Sequence, residues 1–98
     1  MTAIELDNAL EALNNFFAGV SSYTSPMEVL KIRFEKPEPE TEYELVCLSC
    51  TYMAVPTSWD NVNLTSCYLD SREEHIVITD TDNDVKIICR EATLNQLI

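Results

Sequence analysis

The sequence predicts an α+β protein: an N-terminal amphipathic helix packed on a roughly five-stranded antiparallel β-meander. Three observations lead there. Apolar residues recur every three or four positions in the first twenty residues. Apolar and polar residues alternate in short runs from residue 28 onward. Short polar or proline-containing breaks separate those runs, which favours pairing between neighbours in sequence.

The helix is expected over residues 2–20. Thr2 and Glu5 have the spacing of a capping box. Leu6, Ala9, Leu10, Leu13, Phe16, Phe17 and Val20 form one stripe, and Gly19 is a candidate C-terminal stop. Ser21 to Pro26 reads as a polar connection.

Five strands are expected over residues 28–35, 43–55, 62–69, 74–79 and 85–91. In the first, Leu30, Ile32 and Phe34 share one face. The two prolines of the 36–41 segment bar it from a central strand, so it is a turn. Pro56 to Asp60 and Asp70 to Glu74 make further breaks. The tail from Ala92 to Ile98 reads equally as strand or short helix. The 98 residues are enough for a single domain (1–98) with one modest core.

Charge narrows function. Seventeen acidic residues against six basic ones leave a net charge of -11. Such a surface repels phosphate, which argues against direct nucleic-acid binding and against anionic membranes. Its natural complement is a basic protein. No basic leader precedes an apolar run at the N-terminus, and no stretch approaches the ~18–20 apolar residues of a membrane span, so a cytoplasmic location is expected. With one glycine, the phosphate-cradling loops that need several are excluded. No cofactor is implied.

The stretch Thr79-Asp-Thr-Asp-Asn-Asp-Val85 is the sharpest candidate for metal chemistry. Asp80, Asp82 and Asp84 fall at positions one, three and five of a calcium loop, with Glu91 at position twelve. Position six is Val85, where such loops use glycine, and the flanks favour strands. A hairpin loop over residues 80–84 accounts for more. It sets Thr79 opposite Val85, Val77 opposite Ile87, Ile76 opposite Ile88 and Glu74 opposite Arg90, with Asn83 left-handed. A weak cation site at Asp80, Asp82 and Asp84 is what remains of the calcium reading.

Cys47 and Cys50 form a CxxC without the second knuckle of a zinc ribbon, and on a strand they would project to opposite faces. They, Cys67 and Cys89 are expected as reduced, buried thiols. In the hairpin register above, His75 faces Cys89, but no third group completes a nucleophilic triad. No enzyme is expected.

The predicted function is therefore a small acidic, non-catalytic binding protein of the inhibitor or immunity type, masking a basic, nucleic-acid-binding protein. Its candidate contacts are Glu38, Glu40 and Glu42; Asp70, Glu73 and Glu74; Asp80, Asp82 and Asp84; with Tyr52 and Trp59 as aromatic anchors. Two alternatives stay open. The second strand looks apolar on both faces, which suits a homodimer or adaptor module joined through its sheet. The third reading is a weak calcium-dependent binder using the 80–84 loop.

Overall fold

The structure, a computed structural model, describes residues 1–25 and 28–98. Pro26, the expected end of the first connection, lies outside the described residues. The class is α+β with antiparallel sheets, and the helix is N-terminal.

Helix α1 spans Ala3–Leu10 and continues as a 3-10 turn over Glu11–Leu13. Its capping box is complete. The Thr2 amide donates to Glu5 Oε1 at 2.8 Å, and the Glu5 amide donates to Thr2 Oγ1 at 3.1 Å. These bonds hold the Glu5 carboxyl below its ordinary range. Ala3, Leu6, Leu10 and Leu13 are buried on one face. So short a helix persists only because that face is packed.

The helix is shorter than the 2–20 expected. Asn15 takes a left-handed conformation, with φ 70°, and stops it, as asparagine can at a helix C-terminus. Gly19 is not the stop. It lies within strand β1, Phe17–Thr24, which the helical stripe had concealed.

Eight more strands follow: β2 Val29–Lys36, β3 Thr41–Leu48, β4 Tyr52–Ala54, β5 Ser58–Trp59, β6 Thr65–Tyr68, β7 Ile76–Asp80, β8 Val85–Cys89 and β9 Glu91–Gln96. They form two sheets in place of one meander. The first has the order β5-β1-β2-β3-β9, the second β4-β8-β7-β6. The expected 43–55 strand breaks at Ser49, φ 56°, and its halves join different sheets. The break accounts for only part of its apolar character on both sides, since Val46 and Leu48 lie before it on the outer face of the first sheet. Leu45 and Cys47 face the interior from the first sheet, and the residues beyond the break belong to the second. The tail resolves as strand β9, paired with β3.

One hydrophobic cluster unites the parts. Leu30, Ile32, Phe34, Leu45 and Cys47 from the first sheet meet Ile76, Ile78, Val85, Ile87 and Cys89 from the second, with the helix leucines beside them. Helix α1 also covers the free edge of β6. The Ser66 amide donates to Asp7 Oδ1 at 2.8 Å and its hydroxyl donates to the Ala3 carbonyl at 2.7 Å. Those bonds occupy an edge that would otherwise invite a foreign strand.

The β7–β8 hairpin differs from expectation by one residue. Asp80 faces Val85, Ile78 faces Ile87, Val77 faces Ile88 and Ile76 faces Cys89. The loop is Thr81 to Asp84, and Asp84, not Asn83, is left-handed, at φ 56° and ψ 39°. The physical reason is burial. The expected register would set Ile78 against Lys86; the observed one puts Ile76, Ile78, Val85, Ile87 and Cys89 on one interior face.

Strand alternation then drives Asp80 inward, where it is fully buried. Its Oδ2 accepts from the Asn63 amide at 2.9 Å and from Asn83 Nδ2 at 3.0 Å. Its Oδ1 is buried without a partner among the described residues. Replacing it by alanine (D80A) orphans both donors. A loss of about 1–3 kcal/mol is expected for donors left unsatisfied, read as a lower urea midpoint with unchanged slope.

Candidate functional site

The candidate carboxylates do not converge on one face. Asp82 and Asp84 are exposed at one end of β7, and Asp70, Glu73 and Glu74 sit in the turn at its other end. Asp80, expected at an acidic tip, is interior. Asp70 Oδ1 accepts from the Arg72 amide at 3.0 Å, forming a local turn. Glu73 and Glu74 border a depression of about 550 Å³ with Leu48, Ser49, Arg90 and Glu91. Glu74 and Arg90 thus share a depression, without being ladder partners and with no ion pair between them among the described residues.

Glu38, Glu40 and Glu42 lie on the β2–β3 hairpin, and this is where a cleft forms. Phe16 and Phe17 follow the Asn15 stop and enter β1, so alternation sends them opposite ways. Phe16 goes inward, edge-on to the Tyr43 ring at 6.0 Å. Phe17 goes outward and is 46% exposed. The ladder sets Phe17 opposite Glu35, and Glu35 opposite Glu42. Phe17, Pro37, Glu35, Glu40 and Glu42, with Lys36, line an open cleft of about 480 Å³. Glu38 is exposed on the same turn but is not among the lining residues.

Electrostatically the cleft is only partly compensated: Arg33 reaches Glu42, while Glu35 and Glu40 have no cation within 4.0 Å among the described residues. Among the described residues, Glu42 and Glu44 alone of the 17 acids have a cation within 4.0 Å, and both use Arg33, at 3.4 and 3.8 Å. Lys36 lies over the inward Phe16 ring at 5.8 Å, not between the glutamates. Glu35 opposite Glu42 is a like-charge cross-strand pair, which weakens a sheet.

The aromatic candidates separate. Tyr52 is half exposed on the outer face of the second sheet, with Lys86 Nζ 6.0 Å from its ring centroid. Trp59 is buried, edge-on to Phe34 at 6.3 Å, so it closes the core and cannot reach a partner.

The expected metal and thiol groupings also resolve. With Asp80 Oδ2 committed to two donors, the 80–84 turn keeps only Asp82 and Asp84 facing solvent. Among the described residues no group of three or more His, Cys, Asp or Glu side chains is placed to hold a metal ion. His75 does not face Cys89; Ile76 does. Cys47, Cys50 and Cys89 are buried near the crossings between the sheets, and Cys50 Sγ lies 3.6 Å from the Cys47 carbonyl oxygen. The hydrogen bond with Cys89, then burial, push the Cys47 thiol up; the same bond pulls Cys89 down. Burial pushes Cys50 up to about 11. Cys67, expected to be buried, is exposed on edge strand β6.

Phe17 and Glu35 are the site residues that sequence reasoning missed. Phe17 fits the helical stripe, and Glu35 falls at the end of the expected 28–35 strand, off the Leu30, Ile32 and Phe34 face. The pair Asn14-Asn15 was the available signal, since adjacent asparagines end a helix more readily than they continue it. No family model, curated protein or solved structure matches the chain.

Two outcomes are expected. A thiol reagent such as DTNB should titrate one cysteine in the native protein, Cys67, and the other three only after unfolding; rapid reaction of more than one would contradict the packing. Calcium titration followed by NMR should move only the Asp82 and Asp84 signals, with millimolar affinity; sub-micromolar binding would contradict the committed Asp80 geometry.

Proposed function

We propose that the chain is a small acidic, non-catalytic binding protein of the cytoplasm. It masks a basic protein, such as a nuclease or another nucleic-acid-binding protein, as an inhibitor or immunity protein does. The observation that carries this reading is the carboxylate rim of the Phe17 cleft, where Glu35 and Glu40 have no cation within 4.0 Å among the described residues. Fixed negative charge on a hairpin accelerates encounter with a basic partner, and a partly exposed ring beside it supplies apolar contact once docked. Phosphate-bearing ligands are repelled by the same field.

One observation supports the alternative, association of copies through a sheet. The outer face of the second sheet carries a cross-strand row of Tyr52, Ile88, Val77 and Cys67, largely apolar, with exposed Leu69 nearby. The row is narrow, and Lys86 sits over its end at Tyr52. The outer face of the first sheet carries Lys31, Arg33, Glu35, Glu42 and Glu44, which suits solvent better than a dry interface.

Surface-plasmon measurement against an immobilised nuclease of isoelectric point above about 9 separates the two. Binding through carboxylates should lose at least roughly tenfold in association rate between 50 and 500 mM salt. The combined Glu38→Gln, Glu40→Gln and Glu42→Gln protein should show most of that loss at low salt. Salt-independent binding, or a dimer by light scattering with no affinity for basic proteins, would overturn the reading.

A further inference from the structure

We propose that the Phe17 cleft is built to receive an arginine side chain carried by the basic partner. The inference rests on the partner-masking function proposed above and names the group that the site recognises. Three features of the cleft act on the same guest.

The first is the exposed Phe17 ring, whose strand neighbour Phe16 is fully engaged inside. A planar guanidinium stacks on such a face, whereas a lysine ammonium is more strongly hydrated and stacks less well. The second is the Glu35–Glu42 pair, facing each other across the β2–β3 ladder with Glu40 beside them on the turn. Arg33 already offsets Glu42, so the acceptors open to a guest are Glu35 and Glu40, and a guanidinium can donate to two carboxylates at once. The third is Pro37, a rigid apolar wall for the three methylenes of the arginine stem.

The protein's own cations fill this place only in part. Arg33 is drawn along the sheet face to Glu42 and Glu44. Lys36 turns to Phe16. Glu35 and Glu40 have no cation within 4.0 Å among the described residues. Charge complementarity therefore points outward, to a side chain supplied by another protein.

The test compares two peptides of equal charge, nona-arginine and nona-lysine, binding to the full chain at 50 mM salt. Isothermal titration gives the affinities, and the aromatic NMR signals of Phe17 report the place. Nona-arginine should bind roughly two- to fivefold more tightly, with the Phe17 ring signals shifting. Phe17→Ala should abolish the preference, lowering nona-arginine affinity more than nona-lysine affinity until the two are equal. Phe17 is half exposed, so that variant keeps the core. Glu40→Gln, on the exposed turn, should weaken nona-arginine binding more than Glu73→Gln at the opposite end.

If both peptides bind equally and Phe17→Ala changes nothing, the cleft proposal falls while the acidic-surface function stands. If neither binds at 50 mM salt, both fall. If the Phe17 signals move on concentrating the protein alone, the guest is a second copy and the arginine proposal is overturned.

Discussion

A single buried carboxylate organises one end of this molecule. The two-residue period of β7 requires every second side chain to enter the core, and the third interior position is Asp80. A buried carboxyl needs hydrogen-bond partners there. The chain meets it with the Asn63 amide and the Asn83 side chain, the latter also reaching the Asn61 carbonyl. The segment so tied passes the constraint on: the Asn15 amide donates to the Val62 carbonyl, and the Val62 amide donates to the Phe16 carbonyl. Asp80 is thereby linked, through these five hydrogen bonds, to the point where the helix ends and β1 begins.

That starting point decides the surface. Because Asn15 turns left-handed where it does, Phe16 is interior and Phe17 exterior. A start one residue later would reverse them, placing Phe17 against Tyr43 and removing the ring from the cleft. The hairpin opposite then delivers its glutamates to that ring through ordinary ladder register. The cleft is a by-product of two alternations meeting. Its acidity persists because the few cations nearby are occupied with rings and with the outer sheet face.

Much of this was legible in the sequence, and the losses have physical causes. Thr2 and Glu5 announced the helix start, Leu30, Ile32 and Phe34 announced β2, and Pro37 and Pro39 announced the turn. In each case the signal is local and its period unambiguous. The helix end was lost because Phe16, Phe17 and Val20 satisfy the helical spacing as well as the strand one. The two-sheet arrangement was lost because Ser49 carries the left-handed bend that glycine more often marks. With Gly19 spent inside a strand, six non-glycine residues among those described, Asn15, Glu28, Ser49, Asn61, Glu73 and Asp84, take positive φ. Only three of them, the two asparagines and Asp84, are residues that tolerate it readily. The hairpin register was recoverable: matching Ile78 to Ile87 instead of to Lys86 would have placed Asp80 inside. The acidic residues were legible as a composition but not as a site, since the cleft depends on Phe17, whose direction follows from the missed helix stop.

Native-state hydrogen exchange tests most directly whether Asp80 holds this end together. If it does, the amides of Asn15, Val62 and Asn63 should exchange as slowly as those of the β7–β8 ladder, because all open in one cooperative step. Exchange of those three at the rates of the exposed turn amides at Glu38 and Ser71 would contradict the account.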